Sequence, residues 1–286
     1  IRFDHLMSRA NSGEEFAVYT HDATNVDQPT NELHLTSPKA YMITGYNQIV
    51  RLRLSGGQEI RCTPSHRFWT VNRGYVEAQD LNHEDRLLPL DLAAPAVNAS
   101  WSIASAAQAA AIPAPSERHD EMAFPETWST ELGHYLGWLI GDGSVTSTIS
   151  TVYGSADDRS EIMPLHQELV EGINGGRPLK ISEQSNGTAQ LRLTRGAFRR
   201  FLLGLGLHEA LGPNKTVPTS IFEAPAEIVS AFLRGLFDAD GTAVRNDQKG
   251  SYVGLGSVSA ELLRETQRLL STFGITSRIY RTSVAS

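Results

Sequence analysis

Cysteine is all but missing from this sequence. Cys62 stands alone among 286 residues, which excludes an intrachain disulfide and leaves no second thiolate for a metal site. Long apolar runs are missing too. No stretch approaches the roughly eighteen consecutive apolar residues that a membrane-crossing helix needs, and Asp4, Glu14 and Glu15 near the N-terminus do not fit a signal peptide. These absences predict an intracellular, cytoplasmic chain with no membrane partner. An excess of positive charge is the third thing lacking. With 25 Lys+Arg against 32 Asp+Glu the net charge is -7, which on its face argues against nucleic acid, whose phosphates need clustered cations. The average hides a gradient, however: residues 1–125 carry 10 basic and 15 acidic side chains, residues 126–286 carry 15 and 17, and within 177–215 seven basic residues meet only two acidic ones. What is present, 40% apolar and 20% charged residues, is enough for one large globular domain or two ordinary ones.

The first ninety residues read as short strands and turns. Ile49–Leu54 alternates apolar and polar positions and is broken by Ser55-Gly56-Gly57 before Glu59–Cys62; Arg67–Val71, Gly74 and Tyr75–Ala78 suggest a second hairpin. Cys62 reads as a packed core thiol. From Val97 to Pro125 the composition shifts to alanine, proline and polar residues, which predicts a linker with at most a transient helix over Ala104–Ala114.

Beyond Pro125 helices and strands alternate. Thr127 or Ser129 can cap a helix whose apolar residues Leu132, Tyr135, Leu136, Leu139 and Ile140 share one face. A second helix begins near Pro225 and carries Ile228, Val229, Phe232, Leu233, Leu236 and Phe237. The first closes as Gly141-Asp142-Gly143 and the second as Ala239-Asp240-Gly241, and each is followed by strands, a further helix and a glycine stop at Gly206 or Gly274. The chain therefore holds an internal duplication, the first copy enlarged by an insertion around Tyr153–Arg177, and a pseudo-dyad would set the two opening helices side by side. Glycine inside a helix costs about 1 kcal/mol against alanine. Gly137 with Gly141, and Gly235 with Ala239, sit four apart, a spacing that lets two helix axes approach closely. Asp142 and Asp240 then meet at two negative helix ends, where carboxylates repel unless a cation sits between them; Mg²⁺ is the natural one. The glycine after each aspartate is expected to adopt the left-handed conformation that stops a helix.

Leu136–Gly143 and Leu233–Gly241 resemble the two copies of the LAGLIDADG (dodecapeptide, DOD-type) homing-endonuclease motif, the second almost letter for letter. The resemblance spans about Thr127 to Tyr280 and includes Lys215 between the copies. It implies a single-chain, monomeric pseudo-dimer whose two saddle-shaped sheets straddle double-stranded DNA and cut both strands with Mg²⁺ or another divalent metal. The metal would be held by Asp142 and Asp240, with Gly141 and Ala239 contributing beside them, and Lys215 would assist at the scissile phosphate. The first copy departs by carrying Ile140 where an acidic residue often stands, a position that is not the metal ligand.

Strand alternation offers a surface for the DNA. Leu179 and Ile181 point opposite to Lys180, Ser182 and Gln184; Leu191 and Leu193 point opposite to Gln190, Arg192 and Thr194; Asn186-Gly187 forms the turn between them. One face is apolar and the other carries side chains suited to base edges in a major groove, or is simply a solvated hairpin face. Arg199, and in the second copy Arg245, Lys249 and Arg278, are further DNA-binding candidates.

The N-terminal third carries a second resemblance. Glu59–Phe68, with Gly74–Leu81 and Asp85-Arg86-Leu87, is similar to the second conserved block of the intein splicing domain, the Hint fold. There Thr63 and His66 would polarise and strain the peptide bond before the intein's first residue; alone, Thr63-Pro64-Ser65-His66 is a turn with a surface histidine. Inteins begin with Cys or Ser and end in His-Asn, whereas this sequence begins Ile1-Arg2-Phe3 and ends Ser283-Val284-Ala285-Ser286, so splicing is expected to be incomplete on these residues, as in a fragment of a longer intein or a split or decayed one.

The expected architecture is α+β and multidomain. An incomplete all-β Hint-like domain at 1–96 and a linker at 97–125 precede a duplicated αββαββα endonuclease at 126–286, its repeats at about 127–210 and 224–282. The expected activity is site-specific, Mg-dependent cleavage of both DNA strands by an endonuclease embedded in a host protein between its exteins. The alternatives are a catalytically decayed DNA-binding scaffold and a Hint-type self-processing domain with no DNA role.

Overall fold

Apolar periodicity places most of the helices and strands where the sequence predicts them. The computed structural model describes residues 3–21, 33–42, 45–88, 100–112, 122–209, 212–245 and 250–281. The chain divides into two units, Ile1–Val97 with Gln267–Ser286, and Asn98–Thr266.

The first unit opens with helix α1 (Phe3–Asn11), followed by the antiparallel pairs β1 (Val18–His21) with β2 (Leu33–Thr36), β3 (Val50–Arg53) with β4 (Glu59–Cys62), and β5 (Arg67–Thr70) with β6 (Gly74–Glu77). The two hairpins over 50–77 form as expected. The all-β expectation is corrected by α1, in which Leu6, Met7 and Ala10 recur at helical spacing and are half-buried. The Arg73 guanidinium forks onto Asp85 at 2.7 and 2.6 Å and holds that carboxyl at about 2, so the β5–β6 turn is clasped to the segment after it. The chain's C-terminal stretch returns to the β3–β4 turn, where Ile279 N–H donates to Gly56 O and Gln267 Nε2 donates to the same carbonyl.

The second unit begins where a linker was expected. Residues 104–111 form helix α2 (Ala104–Ala111), with Ala106, Ala107 and Ala110 buried. Alanine is the best helix former, and its small side chain lets α2 lie against Gly204, where an added Cβ would meet Ala106 at 3.1 Å. After it come α3 (Thr130–Asp142), β7 (Gly143–Val145), β8 (Ile149–Tyr153), α4 (Met163–Ile173), β9 (Lys180–Glu183), β10 (Ala189–Leu193) and α5 (Gly196–Gly204). This is the expected αββαββα order, and its four strands form one antiparallel sheet in the order β7-β8-β10-β9. The second copy is shorter among the described residues: α6 (Ala226–Asp240), the pair β11 (Gly241–Val244) with β12 (Tyr252–Leu255), and α7 (Ala260–Thr272), which crosses into the first unit at Gln267. Ser129 caps α3 by accepting from Leu132 N–H, while Pro225 stands one position before the first helical residue of α6.

The core of this unit is α3 against α6. Leu132, Leu136, Leu139, Ile228, Phe232 and Leu236 are almost wholly buried, and the small residues line the seam as expected. A Cβ on Gly137 would lie 2.0 Å from Phe232 O, and one on Gly235 2.0 Å from His134 O. Gly206 and Gly274 take positive φ and stop their helices. Gly143 and Gly241 do not: both are extended, at φ −129° and −81°, which corrects the left-handed expectation. Glycine is needed there because a Cβ would strike the carbonyl of the preceding turn, Leu139 O at 2.5 Å and Phe237 O at 2.2 Å.

Candidate metal and nucleic-acid site

The close seam brings two acids together. Asp142 and Asp240 are the last residues of α3 and α6, and at Gly141 an added methyl would touch Ala239 Cβ at 2.6 Å and approach Asp240 Oδ2 at 3.4 Å. Both carboxyls are half-buried and both are pushed above the usual carboxylate range, by burial first; for Asp142 the neighbouring Asp240 adds to it. Lys215 lies between them electrostatically. Burial lowers its pKa while the two aspartates oppose that fall, and its Nζ donates to Gly141 O at 2.6 Å.

The loop carrying Lys215 is tied to α7 by contacts that sequence reasoning missed. Ser259, fully buried, donates from Oγ to Lys215 O at 2.6 Å while accepting from Leu262 N–H as the cap of α7. Two residues on, Val217 N–H donates to Glu265 Oε2 at 2.8 Å. A serine ahead of an apolar-periodic run was the available signal for the cap; the contact to Lys215 spans 44 residues and leaves no local trace.

These donors fit a hard divalent cation. Two carboxylates and the carbonyls of Gly141 and Ala239 are oxygen ligands, and among the described residues no cluster of three or more His, Cys, Asp or Glu forms a closed cage. Mg²⁺ takes one or two carboxylates and completes its shell with water and substrate phosphate, which is the donor supply offered here. Gly141 O already receives Lys215, which leaves the two aspartate carboxylates as the groups that could hold such a cation.

Gly143 begins β7 immediately after Asp142, so the four-stranded sheet grows directly out of the acidic pair. Its cross-strand register sets Arg192 opposite Ser150 on one side and Lys180 on the other, and Gln190 opposite Val152 and Ser182. Arg192, Lys180 and Thr194 are exposed and Gln190, Ser182 and Gln184 half-buried, while Ala189, Leu191 and Leu193 face the core. The predicted polar face therefore exists. Sequence reading left out its other half: Ser144 bonds Ser150 at 3.0 Å, and Thr148 bonds Thr194 at 2.9 Å. Ile181, expected on the core face, is 39% exposed because β9 is the edge strand.

The remaining DNA candidates lie elsewhere. Arg199 is on α5, ion-paired with Glu209, and not on the sheet. Arg245 follows β11 and is exposed; Arg278 groups with the first unit; Lys249 lies outside the described residues. In the first unit Thr63 and His66 bracket a tight turn, His66 N–H donating to Thr63 O at 3.1 Å, with the exposed imidazole edge-on to Phe68. Cys62 is half-buried, and burial raises its thiol pKa.

Among the described residues no helix is long and apolar enough to cross a membrane. Residues 227–285 match the family model of a LAGLIDADG-like domain. In an alignment 288 positions long that takes in 94% of this chain, it is 25% identical to the ribonucleoside-diphosphate reductase NrdEB subunit alpha of Bacillus subtilis, covering 23% of that protein. It is 33% identical over 161 residues to a probable translation initiation factor IF-2 of Thermococcus kodakarensis, which covers 55% of this chain and 13% of the relative. It is 24% identical, in an alignment 297 positions long, to the replicative DNA helicase DnaB of Synechocystis, which covers 98% of this chain and 31% of the relative. The chain thus spans less than a third of each of these relatives. Among solved structures, I-DmoI in complex with DNA and Mn aligns with a TM-score of 0.37 at 19% identity, over 54% of this chain and 84% of that one.

Proposed function

We propose that this chain is a site-specific endonuclease of the LAGLIDADG type, acting as a monomer on double-stranded DNA and lodged in an intein. The observation that carries the nuclease reading is the convergence of Asp142 and Asp240 at the ends of two helices in backbone contact, with Lys215 beside them. Two half-buried acids brought together are costly to ionise, through burial first and, for Asp142, through the neighbouring Asp240. A fold retains such a pair where a cation neutralises it.

The intein reading rests on the relatives. A reductase subunit, an initiation factor and a helicase have no named activity in common, yet each contains a stretch similar to this chain. A segment shared by such proteins accounts for none of their activities and fits an element inserted into unrelated hosts. In that reading the first unit is splicing machinery, with Thr63 and His66 at the turn that would address the upstream peptide bond.

The chemistry follows from the residues present. Bound Mg²⁺ would acidify a water and withdraw charge from the phosphate. Asp142 and Asp240 would hold it and exclude a second anion, and the Lys215 ammonium, held 2.6 Å from Gly141 O, would sit beside the charge that develops on phosphorus. The sheet face of Ser144, Ser150, Lys180, Gln190, Arg192 and Thr194 would fix the register of the duplex over the acids.

The test is to incubate the full chain with Mg²⁺ and a randomised library of duplex targets and to sequence the cut ends. Cleavage at one preferred sequence is expected, lost in Asp142→Ala or Asp240→Ala while DNA binding persists. Undiminished cutting by Asp240→Ala would refute the assignment.

A further inference from the structure

One polar chain in the second unit lies outside the acidic pair and the polar sheet face described above. Asp238 Oδ2 lies 3.0 Å from His134 Nε2, His134 Nδ1 lies 2.9 Å from His166 Nε2, His166 Nδ1 lies 2.9 Å from the Tyr153 hydroxyl, and that hydroxyl lies 2.9 Å from Thr151 Oγ1. His134, His166, Tyr153 and Thr151 are all buried. The proton positions follow from one end. With Asp238 a carboxylate and both imidazoles neutral, His134 donates from Nε2 and its Nδ1 accepts from His166 Nε2; His166 Nδ1 then accepts from Tyr153, whose oxygen accepts from Thr151. Each hydrogen in the chain then has one acceptor.

The rings cannot turn away from these partners. Trp138 stacks on Tyr153 with ring centres 5.2 Å apart and stands edge-on to His166, Tyr135 also packs edge-on to His166, and Trp138 Nε1 donates to Val152 O. The chain joins four elements, α6, α3, α4 and β8. Its ends fall beside the two acids: Asp238 is two residues before Asp240 on α6, and Thr151 is the cross-strand partner of Gly143, the residue after Asp142. The neighbours of Thr151 in β8, Ser150 and Val152, lie on the polar face of the sheet. In the first copy Ile140 stands where the second has Asp238, so the device is built once.

We propose that His134 and His166 are positioning residues that fix the separation of Asp142 and Asp240 and couple it to the strand that meets DNA. The glycine seam sets how near α3 and α6 approach, and the polar chain adds a fixed register between α6 and β8. A directional chain of hydrogen bonds favours one register. This inference rests on the nuclease reading for its rate effect, but not for its effect on the metal.

Three variants of the full chain separate it from a merely structural role. Tyr153→Phe removes one hydroxyl and keeps the packing, His166→Phe breaks the chain at its centre, and His166→Gln keeps a donor toward His134 and an acceptor toward Tyr153. Mn²⁺ affinity is measured calorimetrically without DNA, and target affinity in Ca²⁺ and single-turnover cleavage at saturating target are measured beside it. The expected result is a loss of about tenfold in Mn²⁺ affinity and cleavage rate for Tyr153→Phe and His166→Phe. Target affinity is unchanged, and His166→Gln recovers most of the loss. If folded Tyr153→Phe binds Mn²⁺ and cuts as the parent does, or loses target affinity alone, the proposal is overturned. A parent chain that binds Mn²⁺ but cuts no DNA would remove the nuclease reading and leave the positioning claim to be decided by Mn²⁺ affinity; a parent that binds no Mn²⁺ overturns both.

Discussion

A methyl group on Gly137 would fall 2.0 Å from the carbonyl oxygen of Phe232, so α3 and α6 touch backbone to backbone. That contact brings the two aspartates together, and it makes a direct prediction. Gly137→Ala gains about 1 kcal/mol of helix propensity but forces apart two backbones that have no rotamer to yield, an overpacking cost of about 3 kcal/mol or more. The expected net effect is a loss of about 2 kcal/mol, read as a lower urea midpoint, with cleavage abolished. Gly172 on α4 is the control: nothing lies within 4 Å of its Cβ position, so Gly172→Ala should raise the midpoint. Equal shifts in the two variants would mean that the seam is looser than described.

Much of this seam could be read from sequence. Gly137, Gly141, Gly235 and Ala239 recur every four residues inside apolar stripes, and the two hairpins around Gly57 and Gly187 follow from alternation and turn residues. Three features could not. The alanine run at 104–111 has no polar-apolar contrast, so only its partner Gly204 shows that it is packed. His166 falls in the inserted segment, 32 residues from His134, and nothing local marks it as a partner. Arg199 looks like one more cation in a basic stretch, and its ion pair with Glu209 appears only once α5 is folded. Periodicity reports which face an element buries; long-range polar pairing has no period.

The acidic pair should weaken the metal-free protein at neutral pH. Asp142 and Asp240 have folded-state pKa values above their ordinary range, so as pH rises past about 4 the unfolded chain releases its protons before the native state does. Stability then falls with rising pH through that window and stays reduced above it. Asp240→Asn should therefore raise the melting temperature in EDTA at pH 7.5, whereas Mg²⁺ should raise that of the parent alone. A variant less stable than the parent in EDTA would show that the carboxylates are not repelling each other.

His166 predicts the opposite slope on the acid side. Burial, with the neighbouring His134 adding to it, lowers its pKa to about 3, while in the unfolded chain it titrates near the ordinary 6.5. Between these values the unfolded state binds the extra proton, so stability is fully present above pH 6.5 and declines as pH falls toward 3, by at most about 1.4 kcal/mol per pH unit. Urea unfolding at pH 7.5, 6.5 and 5.5 should show that decline in the parent and a shallower one in His166→Gln. Parallel slopes would remove His166 as the cause.

Arg192 and Lys180 face each other across β10 and β9 on the exposed side of the sheet, whereas Arg199 is held by Glu209 on α5. A cation that meets a DNA phosphate contributes about 0.9 to the slope of log affinity against log salt. Lys180→Ala should reduce that slope by about one and weaken all target sequences alike. A bidentate contact from Arg192 to guanine would instead carry about 1–3 kcal/mol of preference at one base pair, so Arg192→Ala should relax specificity at that position and change the salt slope little. Fluorescence anisotropy over a KCl series, with single-base target variants, distinguishes the two contributions. Arg199→Ala should leave both unchanged; an effect as large as that of Lys180→Ala would move the DNA interface from the sheet to α5.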